Sequence, residues 1–404
     1  MTTPDDALVA DLAALDGDII VLGVGGKMGP TLARMAKRAA PDKNVIGVAR
    51  FSEPGLEEKL AAWDIEPIKC DLLNADDVAA LPKCRNVVFM AGRKFGSSGS
   101  PDLTWAMNVH VPAIAAEAYR DSRIVAFSTG NVYPMVNVDG PYVTEQTVPG
   151  AIGEYAQSCL GRERMFEYFS SKYGTPGRAI RLNYAIDMRY GVLWDIGSKV
   201  FAGETIDLTA GHANVIWQGE ANSRILRCLG HCTTPTSPIN ITGPVVAVRD
   251  VATAFGKLMG KSPVFSGTED TKGWLVDASY SDTLLGPLQV PVDVMIGWLA
   301  DWISNGRENL NKPTAFDRPT SRACFGPTCR WPTRNGVIFC RPKSGGTRHK
   351  PTGPTCWKMA RESGSPTGRA NSSHRPLPCL MDSSAGSAWC SSHPTGGAWG
   401  WQPT

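Results

Sequence analysis

Ile19-Ile20-Val21-Leu22-Gly23-Val24-Gly25-Gly26-Lys27-Met28-Gly29-Pro30 decides how this chain is read. Four consecutive aliphatic residues make a short strand covered on both faces. The glycines follow at once, and Pro30 opens a helical pattern that runs to Ala39. Proline is tolerated in a first helical turn because its missing N–H would have no partner there. Gly23, Gly26 and Gly29 have the spacing G-x-x-G-x-x-G. In a strand-to-helix turn, glycine permits the tight bend, lets backbone approach a diphosphate, and lets helix pack closely on strand. Main-chain amides and the helix dipole then favour phosphate charge. Lys27 and Met28 lie within the same loop. Between a strand and a helix near the N-terminus, this loop predicts a dinucleotide-binding site.

From there short β-rich runs alternate with helical patterns. Strands are predicted at 45–48, 66–69, 86–90, 123–127 and 177–182, with helices at 56–63, 76–81, 104–119 and 155–171 between them. This order predicts an α/β fold, a Rossmann-type doubly wound parallel sheet with helices on both faces. Beyond Tyr190, helical stretches at 221–232, 248–259 and 292–304 are separated by Pro- and Gly-rich connections. They read as a smaller C-terminal substrate lobe over the carboxyl ends of the strands, with 191–193 and 217–218 at the junction. The expected organisation is an N-terminal extension (1–17), an NAD(P)-binding Rossmann domain (18–190), a substrate-binding lobe (191–316) and a tail (317–404).

The 404 residues carry a net charge of +3, unevenly spread. Residues 318–404 hold twelve Lys and Arg against two acids, Glu362 and Asp382, which sets that segment at +10 and the rest at −7. Only six Ile, Leu, Val or Met occur there. So few aliphatic side chains cannot offset the entropy of ordering a backbone, which predicts a disordered tail. The joint loss of aliphatics, acids and periodicity also reads as a frame-shifted or otherwise non-native extension. A cationic tail attracts acidic surfaces weakly. No groove-reading motif accompanies it, so no specific nucleic-acid partner is expected. No run approaches the ~20 apolar residues that a membrane helix needs, and the acidic residues before Asp18 show no secretory pattern. A cytoplasmic protein with free thiols is expected. Cys228, His231 and Cys232 could share one helix face, but no fourth ligand has an obvious spacing, so no metal site is expected.

The second strand ends Gly47-Val48-Ala49-Arg50. An acid there would take the adenosine ribose hydroxyls, whereas arginine offers a fork to a 2′-phosphate. Arg50 therefore tilts the cofactor from NAD toward NADP, a solvated strand-end arginine being the alternative. Cys70-Asp71-Leu72 follows the third strand and Phe89-Met90-Ala91-Gly92 the fourth. Met107-Asn108-Val109 precedes the fifth, which ends Phe127-Ser128-Thr129-Gly130-Asn131-Val132-Tyr133. Glu154-Tyr155-Ala156-Gln157-Ser158-Cys159 opens the long helix after it.

On these segments, and on Ile239-Asn240-Ile241-Thr242-Gly243, the chain resembles the extended short-chain dehydrogenase/reductase family, the NAD-dependent epimerases/dehydratases, from Ile19 to about Thr314. The resemblance implies Asp71 and Leu72 beside the adenine and Ala91 and Gly92 against the cofactor. It gives catalytic roles to Thr129, Asn108 and Tyr155. It further implies hydride transfer with a small polar alcohol or ketone such as a nucleotide sugar, places Ile239–Thr242 in the substrate lobe, and suggests a homodimer. From the residues alone, Asp71 could instead cap a helix, and Arg93 and Lys94 read as solvated loop or as contacts to anionic groups.

The family's helix motif is Y-x-x-x-K, and here Cys159 stands in the lysine's place. Spacing i, i+4 puts Tyr155 and Cys159 on one helical face. In the family that lysine holds the nicotinamide ribose and lowers the tyrosine pKa; a neutral thiol does neither. Tyr155 is then expected to titrate near ~10, with about 0.1% phenolate at pH 7, so acting as a base costs about 4 kcal/mol. Arg162 lies seven residues on, ~10 Å along the axis, and reads as a poor substitute. Three readings stay open. The protein is an enzyme with another cation or a preference for reduction. It is a non-catalytic NAD(P)-binding sensor or scaffold. Or Cys159 is itself a nucleophile, with no histidine near in sequence to activate it.

Overall fold

A computed structural model describes residues 1–94, 99–310 and 314. The expectations for 317–404 lie outside the described residues.

Strand β1 (Ile19–Leu22) is buried at every position, as a strand covered on both faces must be. It lies between β2 (Val45–Ala49) and the strand Asn86–Phe89, parallel to both. With β3 (Glu66–Lys69), β4 (Asn86–Phe89), β5 (Arg123–Thr129), β6 (Gly177–Leu182) and β7 (Ser237–Ile241), all parallel, the sheet has the order β7-β6-β5-β4-β1-β2-β3. The order reverses between β1 and β4, and sheets of this kind open a ligand crevice at the carboxyl ends beside that reversal.

Six strands are expected from the sequence, with Ile239–Thr242 in the substrate lobe. Instead Ser237–Ile241 returns to the main sheet as its edge, with Ile239 and Ile241 fully buried. Pro238 is tolerated there because an edge strand can lack one N–H without breaking a central ladder.

The helices follow in chain order as α1 (Asp6–Ala14), α2 (Gly29–Ala39), α3 (Leu56–Ala61), α4 (Ala75–Ala80), α5 (Pro101–Trp105) and α6 (Val111–Ala118). After them come α7 (Gly153–Tyr173), α8 (Val192–Ala202), α9 (Gln218–Arg227), α10 (Val248–Met259), α11 (Ser279–Leu285) and α12 (Val292–Ser304). In α2 the buried positions Leu32, Met35, Ala36 and Ala39 follow helical spacing toward the sheet, and Lys37 and Arg38 close the last turn where the dipole favours cations. The segment predicted as one helix over 104–119 is broken. A π turn, Ala106–His110, joins α5 to α6. Pro112 has no N–H for the carbonyl of Asn108, and its ring crowds that carbonyl, so the ladder shifts there. Helices α8, α10 and α12 build a separate apolar cluster around Ile196, Phe255 and Leu299.

The stretch before β1, for which no element was predicted, forms α1. Asp5 accepts from the Leu8 N–H at 2.7 Å, the usual N-cap arrangement. Leu8 and Leu12, one turn apart, are fully buried. Across the contact with α9, Asp11 pairs with Arg227 at 2.6 Å and Ser223 donates to Asp5 at 2.6 Å. Truncating Leu12 to Ala removes a fully buried side chain from this seat. A loss of about 2–5 kcal/mol is expected in urea unfolding; a loss below about 1 kcal/mol would mean that α1 is not part of the folded unit.

Candidate active site

Gly23, at the end of β1, has φ +92°, and a Cβ on it would stand 2.6 Å from the backbone nitrogen of Ala91. A Cβ on Gly29 would lie 2.1 Å from the Val24 carbonyl oxygen. Only glycine fits either place. The N–H groups of Gly23 and Val24 both reach the Val48 carbonyl, at 2.8 and 3.0 Å, which ties the turn to β2. Met28 stands at the N-cap of α2 and supplies no side-chain cap, so the first-turn amides keep their capacity for a ligand. Gly29 lies under this turn as a packing residue; Gly23 and Gly26 form its open face.

Two cavities meet at the loop and share Gly23, Gly25, Gly26 and Gly92. The smaller, about 350 Å³, is lined by Arg50, Asp71, Leu72 and Ala91, together with Phe51, Ser52 and Glu53. Phe51 takes a left-handed backbone conformation at φ 48°, a strained turn that follows Arg50 directly. Asp71 does not cap α4. Its carboxylate accepts from Leu73 N at 3.1 Å, and the cap is Asn74, adjacent to the helix, which accepts from Asp76 N at 3.0 Å.

The larger cavity, about 950 Å³, holds Lys27, Met28, Thr129 and Tyr155. Lys27 Nζ sits 3.1 Å from the centre of the Tyr190 ring. Arg93 and Lys94, which the sequence left between solvated loop and site, line this cavity, and so does Arg162. Gly191 and Gln218 reach it from the lobe junction, whereas Trp217 instead packs on Trp298 at 5.1 Å. Its lining includes Lys27, Arg93, Lys94 and Arg162 and no carboxylate, a composition that favours anions, although burial lowers the Lys94 pKa from its ordinary value. A glycine cradle followed by a cationic chamber fits a dinucleotide diphosphate.

Tyr155 enters from the first turn of α7 and Thr129 from the end of β5, where its hydroxyl donates to Asn131 Oδ1 at 3.0 Å. Burial pushes the Tyr155 phenol above its ordinary value; the Cys159 thiol adds to this, and Arg162 and Thr129 oppose it without reversing it. The phenol is therefore held more firmly neutral than the free value expected from sequence. Cys159 is 1% exposed. Burial raises its thiol too, against the pull of Arg162, so the nucleophilic thiolate is disfavoured.

Arg162 departs most from its sequence reading. Side chains on a helix lean toward its N-terminus, and this long one reaches back over the turn occupied by Cys159. Its Nη1 donates to the Phe127 carbonyl at 2.8 Å and its Nη2 to Asn108 Oδ1 at 2.7 Å. A Cβ on Gly92 would stand 2.3 Å from that Nη2, so the glycine makes room for the guanidinium. Asn108, fully buried in the π turn, lies behind the cavity rather than in its wall. It also accepts from Arg93 N at 2.8 Å and donates to Arg93 O at 3.0 Å and Ser158 Oγ at 2.9 Å. It clamps the loop after β4 to α7.

A second buried network supports the site from below. Arg181 of β6 meets Glu163 of α7 through two bonds, 2.7 and 3.1 Å, and donates to the Tyr133 hydroxyl at 2.8 Å. Tyr133 donates onward to Asn240 Oδ1 at 2.8 Å, and Ser128 donates to Glu163. Sequence reasoning passed over Glu163, although it follows Tyr155 and Cys159 at i+8 and i+4 on one helical face. Burial pushes the Cys228 and Cys232 thiols up to about 12. Among the described residues no three His, Cys, Asp or Glu side chains gather to hold a metal, and no helix is long and apolar enough to cross a membrane.

No protein-family model matches the chain, and no curated protein matches its sequence. Solved structures do resemble it. The UDP-glucose 4-epimerase of Thermotoga maritima, solved with UDP-glucose, is 16% identical with a TM-score of 0.61, and the match covers 72% of this chain and 99% of that one. The UDP-glucuronic acid 4-epimerase of Bacillus cereus, solved with NAD, is 18% identical with a TM-score of 0.61, over 71% and 96%. The dTDP-glucose 4,6-dehydratase of Streptomyces venezuelae, solved with NAD and TYD, is 18% identical with a TM-score of 0.61, over 71% and 97%.

Two stability predictions follow from the buried groups. Glu163→Gln strands the Arg181 charge and should cost about 3–5 kcal/mol in urea unfolding; a cost under 1 kcal/mol would mean the pair is solvated. The thiols of Cys84, Cys228 and Cys232 are raised to about 11, 12 and 12 in the folded state. Their stabilisation is whole below the free thiol value of about 8.5 and is lost as pH rises from there toward the folded values, by up to about 1.4 kcal/mol per group per unit. The urea midpoint should therefore fall between pH 8 and 10, and less steeply in Cys228→Ala; a flat profile would contradict this. By its sheet order, its glycine turn and these likenesses, the chain has the fold of the nucleotide-sugar epimerases and dehydratase named above.

Proposed function

We propose that this chain is an NAD(P)-dependent oxidoreductase or epimerase of the extended short-chain dehydrogenase/reductase kind, acting on a small polar alcohol or ketone, a nucleotide sugar in particular. The observation that carries the reading is the continuous crevice from Arg50, past Gly23 and Gly26, to Thr129 and Tyr155. The nicotinamide coenzyme, once bound, supplies hydride exchange at the Tyr155 end. Gly23, Gly26 and the first-turn amides of α2 hold the diphosphate, with Lys27 and Met28 beside it. Asp71, Leu72, Ala91 and Gly92 enclose the adenosine side. Arg50 and Ser52 offer donors to a 2′-phosphate, which supports NADP, while the similar epimerase and dehydratase structures were solved with NAD.

Thr129 orients the reacting oxygen by a hydrogen bond. Tyr155, held neutral, donates its proton to a carbonyl oxygen, so reduction is easier than oxidation at neutral pH. Asn108 keeps the walls in register from behind. The lobe from 191 onward carries the substrate, and Arg93 and Lys94 meet its anionic part. Exposed Leu103, Trp105 and Tyr168 on α5 and α7 support a homodimer through these helices. The raised Tyr155 and the thiol at 159 also favour a second reading, a coenzyme-binding sensor without turnover.

Fluorescence titration with reduced coenzymes tests the first step. NADPH should bind more tightly than NADH, and Arg50→Asp should reverse that order by weakening NADPH about tenfold or more. Absence of binding by either coenzyme, oxidised or reduced, would remove the proposal. Binding without coenzyme oxidation by any carbonyl-bearing nucleotide sugar would favour the sensor.

A further inference from the structure

Arg162 is 6% exposed, and its Nε has no hydrogen-bond partner. Among the described residues no carboxylate pairs with it, and the adjacent Glu163 is committed to Arg181. Burying an uncompensated cation is costly, so its place needs a reason. Three elements hold it: β5 through the Phe127 carbonyl, the π turn through Asn108, and α7 itself. Gly92 leaves the space for Nη2. The guanidinium lines the chamber that contains Tyr155 and Thr129, and it acts on both Tyr155 and Cys159.

We propose that Arg162 is the resident cation of this site, a positioning residue that supplies from the next helical turn the fixed positive charge absent at position 159. The inference rests on the coenzyme-binding reading above and adds where the charge comes from. The other charged groups acting on Cys159 are Lys94, from the loop after β4, and Glu163, which is neutralised by Arg181. Lys27 and Arg93 line the same chamber, and Lys94, the one of these cations that acts on Cys159, is the rival.

A fixed positive charge beside the nicotinamide half disfavours the cationic oxidised ring relative to the neutral reduced ring. The readout is therefore the ratio of dissociation constants for NAD+ and NADH, by calorimetry on the purified chain. Arg162→Gln keeps an amide donor and removes the charge, and should lower the ratio about tenfold. Arg162→Lys should preserve it, and Cys159→Lys added to Arg162→Gln should restore it. A packing role alone would weaken both coenzymes alike and leave the ratio unchanged. A ratio within twofold of wild type in a folded Arg162→Gln protein, or a shift seen only in Lys94→Met, overturns the assignment. Should the single Gln variant not fold, the double variant decides: a ratio within threefold of wild type supports the assignment, and a tenfold lower one overturns it. If wild type binds neither coenzyme, the functional reading fails instead.

Discussion

The turn of β1 and the turn of β4 touch at backbone distance, and the crevice exists because of that contact. A side chain on Gly23 would collide with Ala91, and one on Gly29 with the Val24 carbonyl. The first would force the two turns apart at the place where the strand order reverses. The second would lift α2 off the sheet and turn its first amides away from the crevice. Both cavities take a wall from this turn, so the Arg50 end and the Tyr155 end are set by one short stretch of backbone.

Charge is distributed against the trend of the chain. Residues before 318 are net negative, yet the larger cavity is lined by Lys27, Arg93, Lys94 and Arg162 without an acid. A concave site with one sign of charge focuses its field and draws anions into it. Acids around the site are engaged by other groups: Glu163 faces Arg181, and Asp195 accepts from the Thr314 N–H at 2.8 Å. Two buried arginines on neighbouring elements thus have opposite standing. Arg181 is neutralised by a carboxylate, whereas Arg162 is held by neutral carbonyl oxygens and keeps its charge for the chamber.

The π turn explains how distant pieces stay in register. Asn108 uses both ends of its amide, toward Arg93, Ser158 and Arg162. The loop after β4 therefore cannot shift without disturbing α7. Fully buried, Asn108 fastens these segments to one another.

Much of the fold was legible because periodicity and punctuation are local properties. The strand before Gly23, the glycine spacing, and the helix after Pro30 lie between Ile19 and Ala39, and each rests on neighbours in sequence. Likewise i, i+4 spacing alone placed Tyr155 and Cys159 on one face. Helix α1 escaped notice because Leu8 and Leu12 are the only buried positions in a short segment, and the α9 residues it meets are more than two hundred residues away. Strand β7 was given to the substrate lobe because its partner in the main sheet, β6, lies more than fifty residues earlier and nothing local marks that pairing. The contacts of Arg162 could not be read from its axial distance, which counts Cα positions, because the direction of its side chain is set by Phe127 and Asn108. Sequence by itself determined the sheet's rhythm, the glycine turn and the cysteine one helical turn after Tyr155. Tertiary structure alone decided where the Arg162 guanidinium lies, because that depends on β5, the π turn and α7 converging on it.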